Sequence, residues 1–173
     1  MKKLLLILLC LHFINQADGQ VFKKYQIGES GCSAYFYCDP GVFDVSYSQD
    51  SAKIYTGECV AADETSYAVI CVQLAQSGLD ITNAEDLLLK YLDYLKSAFK
   101  IKSAVGYGKG HRLRGKENIH GIIDYWKDEK ENNLKVKGWT DGNYIVVLYG
   151  YSKKELPEEK INLFLDGLVM KGM

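Results

Sequence analysis

The chain predicts an α+β fold, a mostly antiparallel β-sheet covered by two amphipathic helices in an α/β/α sandwich. Three observations carry this. Asp141-Gly142 separates two β-rich runs, and Asp-Gly in that position is a strong hairpin signal because both central turn residues favour positive φ. Residues 67–74 (YAVICVQL) are nearly all apolar and rich in β-branched types, as a strand buried on both faces must be. Two further segments, after Thr82 and after Pro157, repeat apolar residues at helical spacing. Hairpin-linked strands run antiparallel, and two one-sided helices need a sheet to cover.

The order begins with a leader. Met1-Lys2-Lys3 is a short positive stretch, residues 4–11 are apolar except for Cys10, and Ala17-Asp18-Gly19 offers small residues at the −3 and −1 positions of a signal-peptidase site. The apolar run is shorter than the roughly 20 residues that a membrane-spanning helix needs. Residues 1–19 therefore read as a cleaved secretory signal, and residues 20–173 as a single domain, periplasmic or secreted. Leu8-Leu9 before Cys10 do not make a lipobox, so Cys10 is expected to leave with the signal.

Strands follow between residues 33 and 60. Phe43, Val45 and Tyr47 alternate with Asp44 and Ser46, and Ile54-Tyr55 opens a second run that ends near Cys59. After the buried strand at 67–74, Thr82 and Glu85 fit a capping box. Leu88, Tyr91, Leu92, Leu95 and Phe99 then mark the inner face of a helix ending near Lys100. Short strands are expected at 103–108 and 121–126, and the hairpin at 134–140 and 144–151. Pro157 suits a first helical turn, with Glu158 and Glu159 at the positive helix end. Ile161, Phe164, Leu165 and Leu168 form the buried face of this closing helix.

This succession of early hairpin, YAVICVQL strand, long helix, glycine-rich strand, strong hairpin and closing helix with FLDGL resembles the PsbP-like fold. That group includes a photosystem accessory protein, a Ran-binding import factor and bacterial envelope relatives. The resemblance implies a binding or accessory role, since most members are not enzymes. The cysteines and the GYGKGH segment lie outside it.

Composition narrows the chemistry. The formal net charge is −1 over the full chain and stays near neutral without Lys2, Lys3 and Asp18, so no global field draws it to nucleic acid or acidic membranes. Beyond the leader, no segment is long and apolar enough to span a bilayer. Four cysteines remain, Cys32, Cys38, Cys59 and Cys71, an even set that an oxidising compartment would bridge. Three pairings are open; Cys32–Cys38 with Cys59–Cys71 is the most local. None of the four is spaced as C-x-x-C, so no zinc site or other metal or cofactor site is expected.

The sharpest local feature is KGHRLRGK at 109–116. It holds both arginines of the chain, Arg112 and Arg114, with Lys109, His111 and Lys116, among glycines that let backbone amides approach an anion. This points to a small anion or an acidic partner surface; the plainer reading is a twisted strand pair with glycine bulges. Thirteen tyrosines form the second feature. Tyr35, Tyr37, Tyr47 and Tyr55 lie in the first half and Tyr144, Tyr149 and Tyr151 in the last hairpin, where outward rings stack on sugars or anchor protein partners. Asp124, Asp128, Glu129 and Glu131 cluster without EF-hand spacing and read as a solvated turn. No serine elbow or other catalytic spacing occurs.

The sequence thus favours an exported accessory protein that recognises a protein partner or an anionic ligand, with basic loop and tyrosines on one face. Two alternatives remain. A small envelope hydrolase would join His111 or His120 to a carboxylate such as Asp124. An immunity-type inhibitor would neutralise a toxin in the envelope.

Overall fold

The computed structural model describes residues 22–76 and 78–173. The expected signal segment, its cleavage point after Gly19, and Cys10 lie outside the described residues. The fold is α+β, mainly antiparallel sheet with two helices. Strands β1 (Lys23–Gln26) and β2 (Ser33–Phe36) form a small hairpin of their own. The main sheet contains β3 (Asp44–Tyr47), β4 (Lys53–Val60), β5 (Ser66–Gln73), β6 (Ile101–Ala104), β7 (Gly108–Arg112), β8 (His120–Asp128), β9 (Asn133–Thr140) and β10 (Tyr144–Ser152). Helix α1 spans Ile81–Ala98 and α2 spans Glu158–Leu165. The strand order is β3-β4-β5-β10-β9-β8-β6, with β7 paired beside β6 on β8, and all pairings are antiparallel.

Alternation along the inner strands makes two cores. Ile70, Val72, Ile122, Trp126, Leu134, Val136, Ile145 and Val147 face α1 and meet its Leu88, Leu92 and Leu95. Tyr67, Val69, Cys71, Trp139, Val146 and Leu148 face the other way, against Ile161, Phe164 and Leu165 of α2 and Ala34 and Phe36 of β2. β5 is buried on both faces, as its composition predicts. The small hairpin is held to the end of the chain: Ser33 N–H donates to Val169 O at 2.9 Å, and Val169 N–H donates to Ser33 O at 2.8 Å.

The α2 side of β9 is not apolar throughout. Lys135 and Lys137 are buried there and reach Glu158 at 2.5 Å and Asp166 at 2.6 Å, one beside each end of α2. Their ammonium groups lie over the Tyr125 and Trp139 rings. Lys137 offsets Asp166, whose negative charge sits unfavourably at the helix C-terminus.

Several expectations need correction. The α1 cap is Asp80, whose Oδ1 accepts from Thr82 N and Asn83 N at 3.1 Å each. No capping box forms, because the helix starts before Thr82 and Glu85 faces β8 instead. The β9–β10 connection is not a two-residue turn. Thr140 pairs with Ile145, and Asp141 Oδ1 accepts from Asn143 N and Tyr144 N at 2.9 Å each, an Asx turn that leaves Gly142 as the positive-φ residue. The strand expected at 103–108 is two strands, with 105–107 between them. Val45 and Tyr47 are exposed, because β3 is an edge strand and only Phe43 turns inward. β1, with one half-buried residue, was not foreseen. Of the cysteines, Cys38 and Cys59 are bridged, with Cα atoms 5.8 Å apart, while Cys32 and Cys71 are buried thiols. The local pairing is therefore not the one adopted: β2 carries Cys38 away from Cys32 and beside β4. No helix among the described residues is long and apolar enough to cross a membrane.

Candidate functional site

The basic segment does not converge on one point. β7 and the turn after it lie along β8, with a register shift between Gly108 and His111, so the predicted glycine bulge is present. Lys109 reaches Glu85 of α1 at 3.8 Å. Arg112 donates from Nη1 to His111 O at 3.1 Å, and its Nε lies 3.8 Å from Glu117. His111 sits opposite Gly121 and beside Trp139 on the α2 side. Burial, and then the nearby Lys137, push its pKa down. Leu113 and Ile119 are buried and pin the turn, whose tip presents Arg114, at φ 48°, and Lys116 to solvent. These two have no ion-pair partner among the described residues.

Neither histidine is joined to Asp124. His120 lies on the α1 side, Nδ1 at 2.6 Å from Glu85 Oε2, whereas His111 lies on the opposite face of the sheet. Asp124 is fully engaged elsewhere. Its Oδ1 accepts from Gly106 N at 2.9 Å and Tyr125 N at 2.8 Å; its Oδ2 accepts from Trp126 Nε1 at 2.7 Å and lies 3.2 Å from Lys96 Nζ. The Lys96 ammonium also lies 3.9 Å from the Tyr107 ring centroid, and Tyr107 Oη donates to Asp93 at 2.6 Å. This network straps α1 to the β6–β7 link. Among the described residues, no cluster of three histidines, cysteines or carboxylates is placed to hold a metal. Of the acidic residues expected in a solvated turn, Asp128, Glu129 and Glu131 are there, whereas Asp124 is buried in the strand. Asp128 accepts from Asn132, and hydrogen bonds from Lys102 and Lys127 hold Glu131 down to about 2.

A concave surface does exist at the far end of the α1 face. Helix α1 packs over β9, β8 and β6 and leaves the Tyr149–Tyr151 end of β10 uncovered. Strand periodicity puts both rings on one face. Tyr149 and Tyr151 stack with centroids 6.2 Å apart, and Phe99, just past the end of α1, lies 5.2 Å from Tyr149. Together with Leu134 they line an open cleft of about 430 Å³. Its rim carries Glu58, Asp128 and Glu129 with Lys100 and Lys130. Tyr151 Oη donates to Glu58 Oε1 at 2.5 Å. Burial raises the pKa of both tyrosines, so their hydroxyls stay protonated as donors.

No protein-family model matches the chain, and no curated protein matches it in sequence.

The cleft and the basic turn lie toward opposite ends of β8. Arg112 pairs with His120 at its start, while Asp128, on the cleft rim, ends it. Over nine residues that is roughly 25–30 Å of extended strand. The tyrosines of the cleft and the basic loop do not share one patch. Sequence reasoning singled out Tyr149 and Tyr151 but treated Phe99 as core and passed over Glu58. The i, i+2 tyrosine spacing was the signal for the site; nothing local in the sequence marks which residues a helix end and a distant strand bring to it.

Proposed function

We propose that the protein is an exported accessory protein that recognises a protein partner and carries out no reaction of its own. The observation that carries this reading is the cleft floored by Phe99, Tyr149 and Tyr151. Rigid, half-buried aromatic rings with polar tips and a mixed-charge rim are what a partner's side chain needs for a desolvated anchor point. A binding role is further favoured because Asp124 spends both its oxygens inside the fold. The Cys38–Cys59 disulfide is compatible with an oxidising compartment, which together with the N-terminal leader supports export. The PsbP-like assignment belongs to the same proposal. Its support is the element order and the packing of the two helices against an antiparallel sheet.

The second reading places recognition of an acidic partner or small anion on the basic turn, favoured by the unpaired, exposed Arg114 and Lys116. One experiment separates the two. A partner is captured by crosslinking from the native envelope, and its affinity is titrated for wild type, Tyr151→Ala, and the Arg114→Ala, Lys116→Ala pair. The cleft reading expects Tyr151→Ala to weaken binding at least about tenfold, the loss of one anchor residue, with the turn variant near wild type. The reverse pattern moves the site to the basic turn. Wild-type affinity in both variants rejects both surfaces.

A further inference from the structure

Cys32 and Cys71 are buried to 0% exposure in the same core cluster, beneath α2 and the β1–β2 hairpin. Neither backbone has freedom to move away. Cys71 sits mid-strand in β5, paired with Tyr55 on one side and Val146 on the other. Cys32 O accepts from Ile27 N at 2.9 Å, and Cys32 N–H donates to Ser30 Oγ at 3.0 Å. The next residue, Ser33, is bonded in both directions to Val169. Tyr144 Oη donates to Ser30 O at 2.9 Å and fixes the loop from beneath. Each thiol acts on the other's ionisation: Cys71 pulls the Cys32 pKa below the ordinary thiol value, while Cys32 and then burial push that of Cys71 up.

Two fully buried thiols in one core cluster, each on a backbone held by hydrogen bonds, in a protein that already bridges Cys38 to Cys59, are a disulfide pair in waiting. We propose that Cys32 and Cys71 close as a second disulfide under oxidising conditions, tying the β1–β2 hairpin to the centre of the main sheet. Each thiol gives up its proton, and one S–S bond forms. The two electrons pass to the disulfide of a thiol–disulfide oxidoreductase or of a small-molecule disulfide, which leaves as two thiols. Exchange requires a thiolate to reach the incoming disulfide. With both sulfurs sealed in the native core, closure therefore happens before the hairpin docks.

Export, as proposed above, supplies such an oxidant in the cell, but the pairing itself is tested without it. The full chain is unfolded, reduced and refolded with a reduced–oxidised glutathione couple. Material in which Cys38–Cys59 has closed is alkylated in denaturant and mapped by non-reducing proteolysis and mass spectrometry. The expected result is a crosslinked peptide pair containing Cys32 and Cys71, with alkylation of neither. A Cys38→Ser, Cys59→Ser variant is expected to give the same crosslink. Alkylated Cys32 and Cys71 in protein whose Cys38–Cys59 bond is closed would overturn the proposal. Closure on refolding, with open thiols in protein recovered from its native cells, would support the pairing and count against export.

Discussion

Asp124 shows how one side chain decides the use of its neighbourhood. From sequence it was a carboxylate near two histidines; in the fold it is buried and collects two amides, an indole N–H and a lysine ammonium. Four donors on one anion leave no lone pair for a substrate. Asp124→Ala should leave three N–H donors without their acceptor and Lys96 with only Asp93 as ion-pair partner, and destabilise by about 3 kcal/mol. Urea titration monitored by tryptophan fluorescence would show the lower midpoint, and an unchanged midpoint would remove this account of the network. The site was only partly legible at this scale. Tyr149 and Tyr151 announce a shared face because strand residues two apart point the same way. Glu58 joins them only through pairing of β4 with β5 and of β5 with β10, which no local pattern encodes.

Among the elements, those whose own residues determine them were readable, and those set by neighbours were not. β5 carries its two-sided burial in its composition, and α1 its inner face in the spacing of Leu88, Leu92 and Leu95. The start of α1 was misplaced because Thr82 and Glu85 satisfy a capping pattern that tertiary contact overrides: Glu85 pairs with His120 across to β8. Asp80 performs the cap, so Asp80→Ala should cost about 1 kcal/mol, whereas Thr82→Ala should be close to neutral. Thermal unfolding of the two variants distinguishes the assignments. The alternation of Phe43, Val45 and Tyr47 with Asp44 and Ser46 marks β3 as a strand but not how much of it is covered. As an edge strand it has only one neighbour, and Val45 and Tyr47 are left to solvent. The break between β6 and β7 follows from Asp124, which draws Gly106 N–H out of the ladder.

At the scale of the molecule, one sheet separates two cores that share no side chain. Ile122 belongs to the α1 side and Ile161 to the α2 side, both fully buried. Ile122→Val and Ile161→Val should each cost about 1 kcal/mol. The double variant should cost their sum to within about 0.5 kcal/mol, since the sites have no common partner. Chemical denaturation of the four proteins closes the cycle; a larger departure would mean that the sheet transmits strain between its faces. Unfolding should nevertheless remain a single transition, because the central strands β5, β9 and β10 contribute to both cores.

The ladder between Ser33 and Val169 has a consequence for how the protein is made. A ribosome delivers Ser33 long before Val169, so the first hairpin emerges with its docking surface not yet synthesised. α2, which packs against β2, also appears only after every strand of the main sheet. Much of the native contact map joins residues far apart along the chain, a topology that folds slowly. Docking of the first hairpin must therefore wait until Val169 has been made, which leaves that hairpin without its partner while the strands of the main sheet are synthesised.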